Sequence, residues 1–298
     1  MGTSRRNSSG LTQCKLDRAG EAAGDLRRPQ RSVGGGPHEA DLRKKITGTT
    51  HEAVVMKIFL AGATGAVGRR LVPLLLKAGH HVTGTTRSAA KGEELRTVGV
   101  EPVVVDVFDA QELSRAVLTA RPDIVVHQLT DLPRGLDPAQ MTEGTQRNAR
   151  MRREGTKNLV AAAAGSTARR LVAQSIAWMY APGPEPHSED DPLDVHAHDT
   201  RSITVAGVVT LEQLTLCSPP IEGVILRYGH LYGPGTGADA AAEAPALHVD
   251  AAAWAAVLAI EKPCRGVYNV AEPNGYLSTE KVSRELGFNP SFRVNAHV

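Results

Sequence analysis

The chain has 298 residues, 41% of them hydrophobic and 22% charged, and a formal net charge of +2. That charge is uneven: residues 1–55 carry ten Lys and Arg against six Asp and Glu, and the remainder carries 24 against 26. The larger part is therefore slightly acidic and lacks the electrostatic footprint of a nucleic-acid-binding protein. Three widely spaced cysteines, Cys14, Cys217 and Cys264, make no CxxC pair, which argues against a disulfide framework or a zinc site. No apolar run reaches the roughly 18 residues of a bilayer span, so neither a membrane nor a metal is expected, and a cytoplasmic location is.

Residues 1–55 are rich in Gly, Ser, Arg and Pro, with almost no periodic apolar content, and are expected to be a disordered extension. Met56 stands just before the first strand and is a candidate alternative translation start. The folded part is expected to span residues 56–298.

From residue 57 the pattern alternates. Strands are expected at 57–60, 81–86, 103–107, 123–127 and 170–175, with helices at 69–78, 93–98, 111–120 and 147–164 between them. The strands are apolar on both faces, the mark of a parallel sheet covered by helices on each side. Residues 181–200 hold prolines, acids and histidines and read as a surface loop. A helix at 205–216, a strand at 223–227, a glycine-rich loop at 229–238, a helix at 250–260, a strand at 266–270 and a helix at 278–286 complete the chain. Gly287 is placed to end that last helix.

The stretch GATGAVG comprises Gly62, Ala63, Thr64, Gly65, Ala66, Val67 and Gly68. It follows a strand and opens a helix. In that context glycines permit positive φ, close helix–strand packing and the approach of a pyrophosphate to backbone amides. A glycine-rich turn without a ligand is the plainer alternative. The second strand ends Thr85-Thr86-Arg87-Ser88, with no acid to bond a ribose 2′-hydroxyl. Arg87 suits a 2′-phosphate instead, which favours NADP over NAD, unless it is an ordinary surface arginine.

The chain resembles the NAD-dependent epimerase/dehydratase family, the extended short-chain dehydrogenases/reductases, over residues 56–290. The resemblance rests on GATGAVG, VVVDVFD, PDIVVHQLT, EGTKNLVAAA, LVAQSIAWMYAPG, LRYGHLYGPGT, HVDAAAWAAVLAI and GVYNVAEP in that order. It implies an α/β fold, a Rossmann-type doubly wound parallel sheet with a C-terminal substrate lobe, here reduced. It also implies Asp106 and Val107 near the adenine, Gln128 and Leu129 under the cofactor, and an active-site serine at Ser175. The implied activity is hydride exchange on a small carbonyl, alcohol or sugar-like substrate, with a homodimer left open.

The family's Tyr-xxx-Lys pair is missing. The matching window HDTRSITVAGVVTLEQ (residues 198–213) puts Thr204 and Val208 at those positions, with Glu212 after them. No lysine lies between Lys157 and Lys262, and no tyrosine between Tyr180 and Tyr228. The candidate replacements are Tyr180 as the acid, His196 or His198 as acid/base, and Ser175 orienting a carbonyl alone. The competing reading is a non-catalytic dinucleotide-binding or redox-sensing protein. Arg147, Arg150, Arg152 and Arg153 form a basic stretch, read either as a solvated helix face or as a contact to cofactor phosphates. Trp178 and Trp254 are expected in the core or a pocket wall, and His80-His81 in a polar turn.

Overall fold

The computed structural model describes residues 54–294. The extension expected over residues 1–55 lies almost wholly outside them. Seven strands form one parallel sheet: β1 (Lys57–Ala61), β2 (His81–Thr86), β3 (Glu101–Val104), β4 (Ile124–His127), β5 (Arg170–Ile176), β6 (Glu222–Tyr228) and β9 (Gly266–Val270). Their order across the sheet is β3-β2-β1-β4-β5-β6-β9, and every pairing is parallel. Two three-residue strands, β7 (His230–Tyr232) and β8 (Ala246–His248), pair separately.

The helices are α1 (Ala66–Lys77), α2 (Ala89–Thr97), α3 (Ala110–Ala120), α4 (Met141–Arg150), α5 (Thr156–Ala164), α6 (Asp199–Leu216), α7 (Val249–Glu261) and α8 (Glu280–Leu286). A π-helical turn at Met151–Gly155 joins α4 to α5.

Alternation along the strands feeds two cores, one on each face of the sheet. Ile58 and Leu60 of β1 point to the side of α1 and α7, where Leu71, Leu75 and a run of alanines from α7 cover them. Phe59 and Ala61 point to the other side, against Leu113 and Val117 of α3, Leu159 of α5 and Leu211 of α6. The alanine-rich α7 is buried almost around its whole circumference, as its apolar run from Ala251 to Ile260 requires; its buried Asp250 is paired with Arg70.

Several boundaries differ from the sequence reading, among them the starts of α1 and α2, at Ala66 and Ala89 rather than 69 and 93, and three others. β3 ends at Val104 rather than at 107, because Asp106 turns the chain by accepting the Phe108 amide at 3.0 Å. The helix expected from 147 begins at Met141, and that expected from 205 begins at Asp199. The latter two starts carry no apolar periodicity of their own and are held by tertiary packing. The predicted loop at 229–238 contains β7. Gly287 ends α8 at φ 62°, as expected.

The strand order reverses direction between β1 and β4, which opens a crevice at their carboxyl ends. The join of β1 to α1 stands at that point. A side-chain carbon added to Gly68 would lie 2.1 Å from the Gly62 carbonyl oxygen, so the helix sits where only glycine fits. Gly68→Ala is expected to destabilise the fold by about 1–3 kcal/mol in urea unfolding. Gly275→Ala, where the added carbon meets nothing within 4 Å, should stay within about 0.5 kcal/mol of the parent.

Candidate functional site: a dinucleotide cleft

A cleft of about 1190 Å³ runs along the carboxyl ends of the strands. Its floor begins at the glycine turn. Gly62 has φ +94°, and a side-chain carbon there would come within 2.8 Å of the Gln128 backbone. Its amide donates to Thr85 Oγ1 at 3.2 Å, and the Gly65 amide donates to the Gly62 carbonyl at 3.0 Å. α1 then starts with no side-chain cap and no acid in its first turn. Its first amides and dipole are left for an anion.

Gly62, Thr64, Gly65, Ala66 and Val67 line the cleft. Ala63 and Gly68 do not. Ala63 is fully buried beneath the turn, and Gly68 is the close approach described above.

Arg87 lines the cleft at the end of β2, together with Lys91 on α2. Its side chain is 62% exposed, and its nearest ionic partner is Asp131, at 3.9 Å. Arg147 lies equally far from the same carboxylate. Val107 and Leu129 are lining residues. Asp106 is not: its carboxylate is spent on the Phe108 amide, outside the wall. Gln128 is buried in the wall. Its Nε2 donates to Tyr228 Oη at 3.5 Å, and its Oε1 has no hydrogen-bond partner among the described residues.

These features fit a nicotinamide dinucleotide. The first amides of α1 are open to a pyrophosphate, and Gln128 carries a buried acceptor within the wall.

The inner end is organised by a buried ion pair. Ser175 Oγ donates to Glu212 Oε1 at 2.7 Å. Arg227 grips the same carboxylate through Nε at 2.9 Å and Nη2 at 2.7 Å, a bidentate pair with both side chains under 10% exposed. Arg227 Nη1 donates to Tyr180 Oη at 2.7 Å, and Tyr180 Oη donates to Asn269 Oδ1 at 2.7 Å.

This corrects the sequence reading of Tyr180. It is 2% exposed, lies behind Arg227 and is absent from the cleft wall. Burial pushes its phenol above the usual range, although the arginine works against that shift. Ser175 does reach the cleft. His196 and His198 are exposed on the loop before α6 and do not line it. Thr204 lines the cleft, whereas Val208 is fully buried in an apolar cluster.

One group, His127, escaped the sequence reading, and Trp178, expected in the core or a pocket wall, has a stacking partner that the reading did not name. His127, at the end of β4, is fully buried. It accepts the Leu129 amide on Nδ1 at 3.2 Å and lies 2.9 Å from Thr156 Oγ1 through Nε2. The first contact assigns its proton to Nε2. Burial, aided by the nearby Arg152 charge, lowers its pKa to about 4, so it is neutral at pH 7. Trp178 and His230 stack at 3.8 Å, 16° from parallel, and both line the cleft.

The basic stretch also divides. Arg147 and Arg150 pair with Glu143 and Glu154 on their own helix, at 2.8 Å each, and Arg153 is exposed. Arg152 is 8% exposed and turned inward, so the solvated-face reading fails for it.

Comparison with known proteins agrees with this geometry. A family model described as NAD(P)H-binding matches residues 62–205. A 3-diazoavenalumate denitrifying reductase from Streptomyces sp. is 41% identical over 238 residues, 73% of this chain and 76% of that protein. The chain belongs to the same NAD(P)H-binding family as this reductase. Solved structures share the fold at lower identity. Bordetella bronchiseptica WbmG, in complex with NAD and UDP, superposes with a TM-score of 0.63 at 20% identity, covering 83% of this chain and 92% of its own. UDP-glucuronic acid 4-epimerase from Bacillus cereus gives 0.65 at 18%, covering 80% and 95%. The family's cofactor is a nicotinamide dinucleotide, and the site described here has the form to hold one. No described helix is long and apolar enough to cross a membrane.

Two outcomes follow from the inner end. Glu212→Gln leaves Arg227 buried without its anion and is expected to cost about 3–5 kcal/mol in urea unfolding, whereas Glu212→Leu combined with Arg227→Met should recover most of it. His127 has a folded pKa below its unfolded value, so acid opposes folding. Its contribution is intact above pH 6.5 and is lost as pH falls toward 4, by about 2–3 kcal/mol at pH 4.5. His127→Asn should flatten the pH dependence of the urea midpoint between those limits.

Proposed function

We propose that this protein is an NADPH-dependent reductase whose substrate takes a hydride without needing a proton from the enzyme, as an aryl diazo compound does. One observation carries this reading: the cleft keeps its cofactor floor, but the two positions of the Tyr-xxx-Lys pair hold no phenol or lysine, and the phenols that do line the wall, Tyr228 and Tyr232, donate their protons to the Ala252 carbonyl and to Glu272. Thr204 and Val208, the latter buried, occupy those two positions, and Tyr180 is held behind Arg227. The relative that removes nitrogen from a diazo acid speaks for the same chemistry. When bound, NADPH supplies a hydride, which takes the place of dinitrogen on a diazonium carbon with no proton changing hands.

The chain's residues then have positioning roles. Amides at the start of α1 hold the pyrophosphate. Arg87 and Lys91 face the adenosine end, where a 2′-phosphate would find two cations and no competing acid closer than Asp131. Gln128, a residue of the cleft wall, holds a buried acceptor, Oε1, that a small side-chain rotation would bring to a ligand. Ser175 is fixed by Glu212 with its hydroxyl proton engaged, so it orients a substrate as an acceptor rather than as an acid. The Trp178–His230 stack gives a flat aromatic wall suited to an aryl ring.

Calorimetric titration is expected to give an NADPH Kd at least tenfold below that for NADH, with Arg87→Ala removing the difference. A turnover assay with 4-hydroxybenzenediazonium and deuterated NADPH, against an enzyme-free control, should release dinitrogen and place deuterium on the arene. Turnover of ketones or UDP-sugars with no diazonium activity would contradict the reading. Binding without any turnover would favour the non-catalytic alternative.

A further inference from the structure

Arg152 is a mostly buried cation that feels the charge of Glu212 but makes no direct hydrogen bond to it. It leaves the π-helical turn between α4 and α5 and is more than nine-tenths buried. Its aliphatic stem packs on α6, where a side-chain carbon at Gly207 would lie 3.4 Å from its Cδ. It lines the cleft alongside Ser175 and Thr204. Among the described residues it makes no hydrogen bond and no ion pair.

The nearest compensating charge is Glu212, and that carboxylate is already engaged by both arms of Arg227 and by Ser175. A second carboxylate in this cluster, Glu189, accepts the Asn269 amide, and neither it nor Glu212 hydrogen-bonds Arg152. Burial lowers the Arg152 pKa only to about 10, so the charge is present at pH 7. None of its nitrogens is among the fully buried atoms that lack a partner, so the guanidinium opens onto the cleft, where a ligand's acceptor can meet it.

We infer that Arg152 binds the carboxylate of an acidic aryl substrate, through its planar fork, at the inner end of the cleft. Two observations fix the class. The cofactor's own phosphates are accounted for on the β1–β2 side, at the glycine turn and Arg87, whereas Arg152 stands over α6, which packs beside β5 and β6. The Trp178–His230 stack lies in the same cleft and receives a ring. A carboxylate matches a guanidinium in two parallel hydrogen bonds, which a neutral carbonyl or amide cannot reproduce. Arg152 is thus a specificity-determining residue: it selects acids over their amides or esters. This rests on the reductase reading above, and it names the substrate class that reading leaves open.

The test uses the full chain saturated with NADPH. Benzoate and cinnamate are titrated calorimetrically beside benzamide and cinnamamide. At least one acid is expected to bind tenfold or more tightly than its amide. Arg152→Gln should erase that preference, and Arg152→Lys should keep part of it, while the NADPH Kd and melting temperature stay at parental values. Equal binding of acid and amide, or no binding of either acid, overturns the inference. So does an Arg152→Gln effect falling on NADPH affinity instead, which would mean that the guanidinium serves a cofactor hydroxyl. Failure of the unmodified chain to bind NADPH sinks the reductase reading itself and is read in the first titration, before any acid is added.

Discussion

The clearance between Gly68 and the Gly62 carbonyl governs this molecule. With 2.1 Å between that oxygen and the site of any added carbon, α1 can begin directly behind the end of β1. Its first amides then open on the crevice where the sheet changes direction. Move the helix outward to admit a methyl group, and the amides, the Thr85 contact that fixes Gly62, and the wall carried by Gln128 all shift together. The cofactor floor is a consequence of packing, since the residues that enforce it have no functional group.

The other end of the cleft obeys electrostatics. Arg227 enters from a strand interior, where a charge is admissible only with its anion. Glu212 supplies that anion from α6, and the pair draws in Ser175, Tyr180 and Asn269. The result is a rigid polar plug that fixes what faces the cleft and what does not. A tyrosine near the serine in sequence is removed from the chemistry because it completes the arginine's coordination. The same plug engages both oxygens of Glu212, so Arg152 feels that charge without a hydrogen bond to it.

The fold was legible to the degree that steric rules map onto residue types. Glycines at 62, 65 and 68 and strands apolar on both faces follow from backbone geometry and a covered parallel sheet, and the strand at 266–270 appeared where expected. The end of β3 was misread, because an apolar run at a sheet edge gives no sign that Asp106 will turn the chain. Tyr180 was misplaced since its proximity to Ser175 in the chain says nothing about Arg227 and Asn269, 47 and 89 residues away. Arg152 carried a signal that was overlooked. Gly144, Asn148, Arg152 and Thr156 recur every fourth residue and form one buried line, which the slightly wide π-helical turn keeps in phase. A charged stretch read for its composition alone concealed one inward-facing member.

The central claim is that a diphosphate rests on the amides at the start of α1. Amide hydrogen exchange with and without NADPH tests it most directly. The account predicts that peptides covering residues 62–68 gain protection on adding coenzyme and that α8, remote from the cleft, does not change. Unaltered exchange at 62–68 in protein otherwise shown to be saturated with NADPH would contradict it.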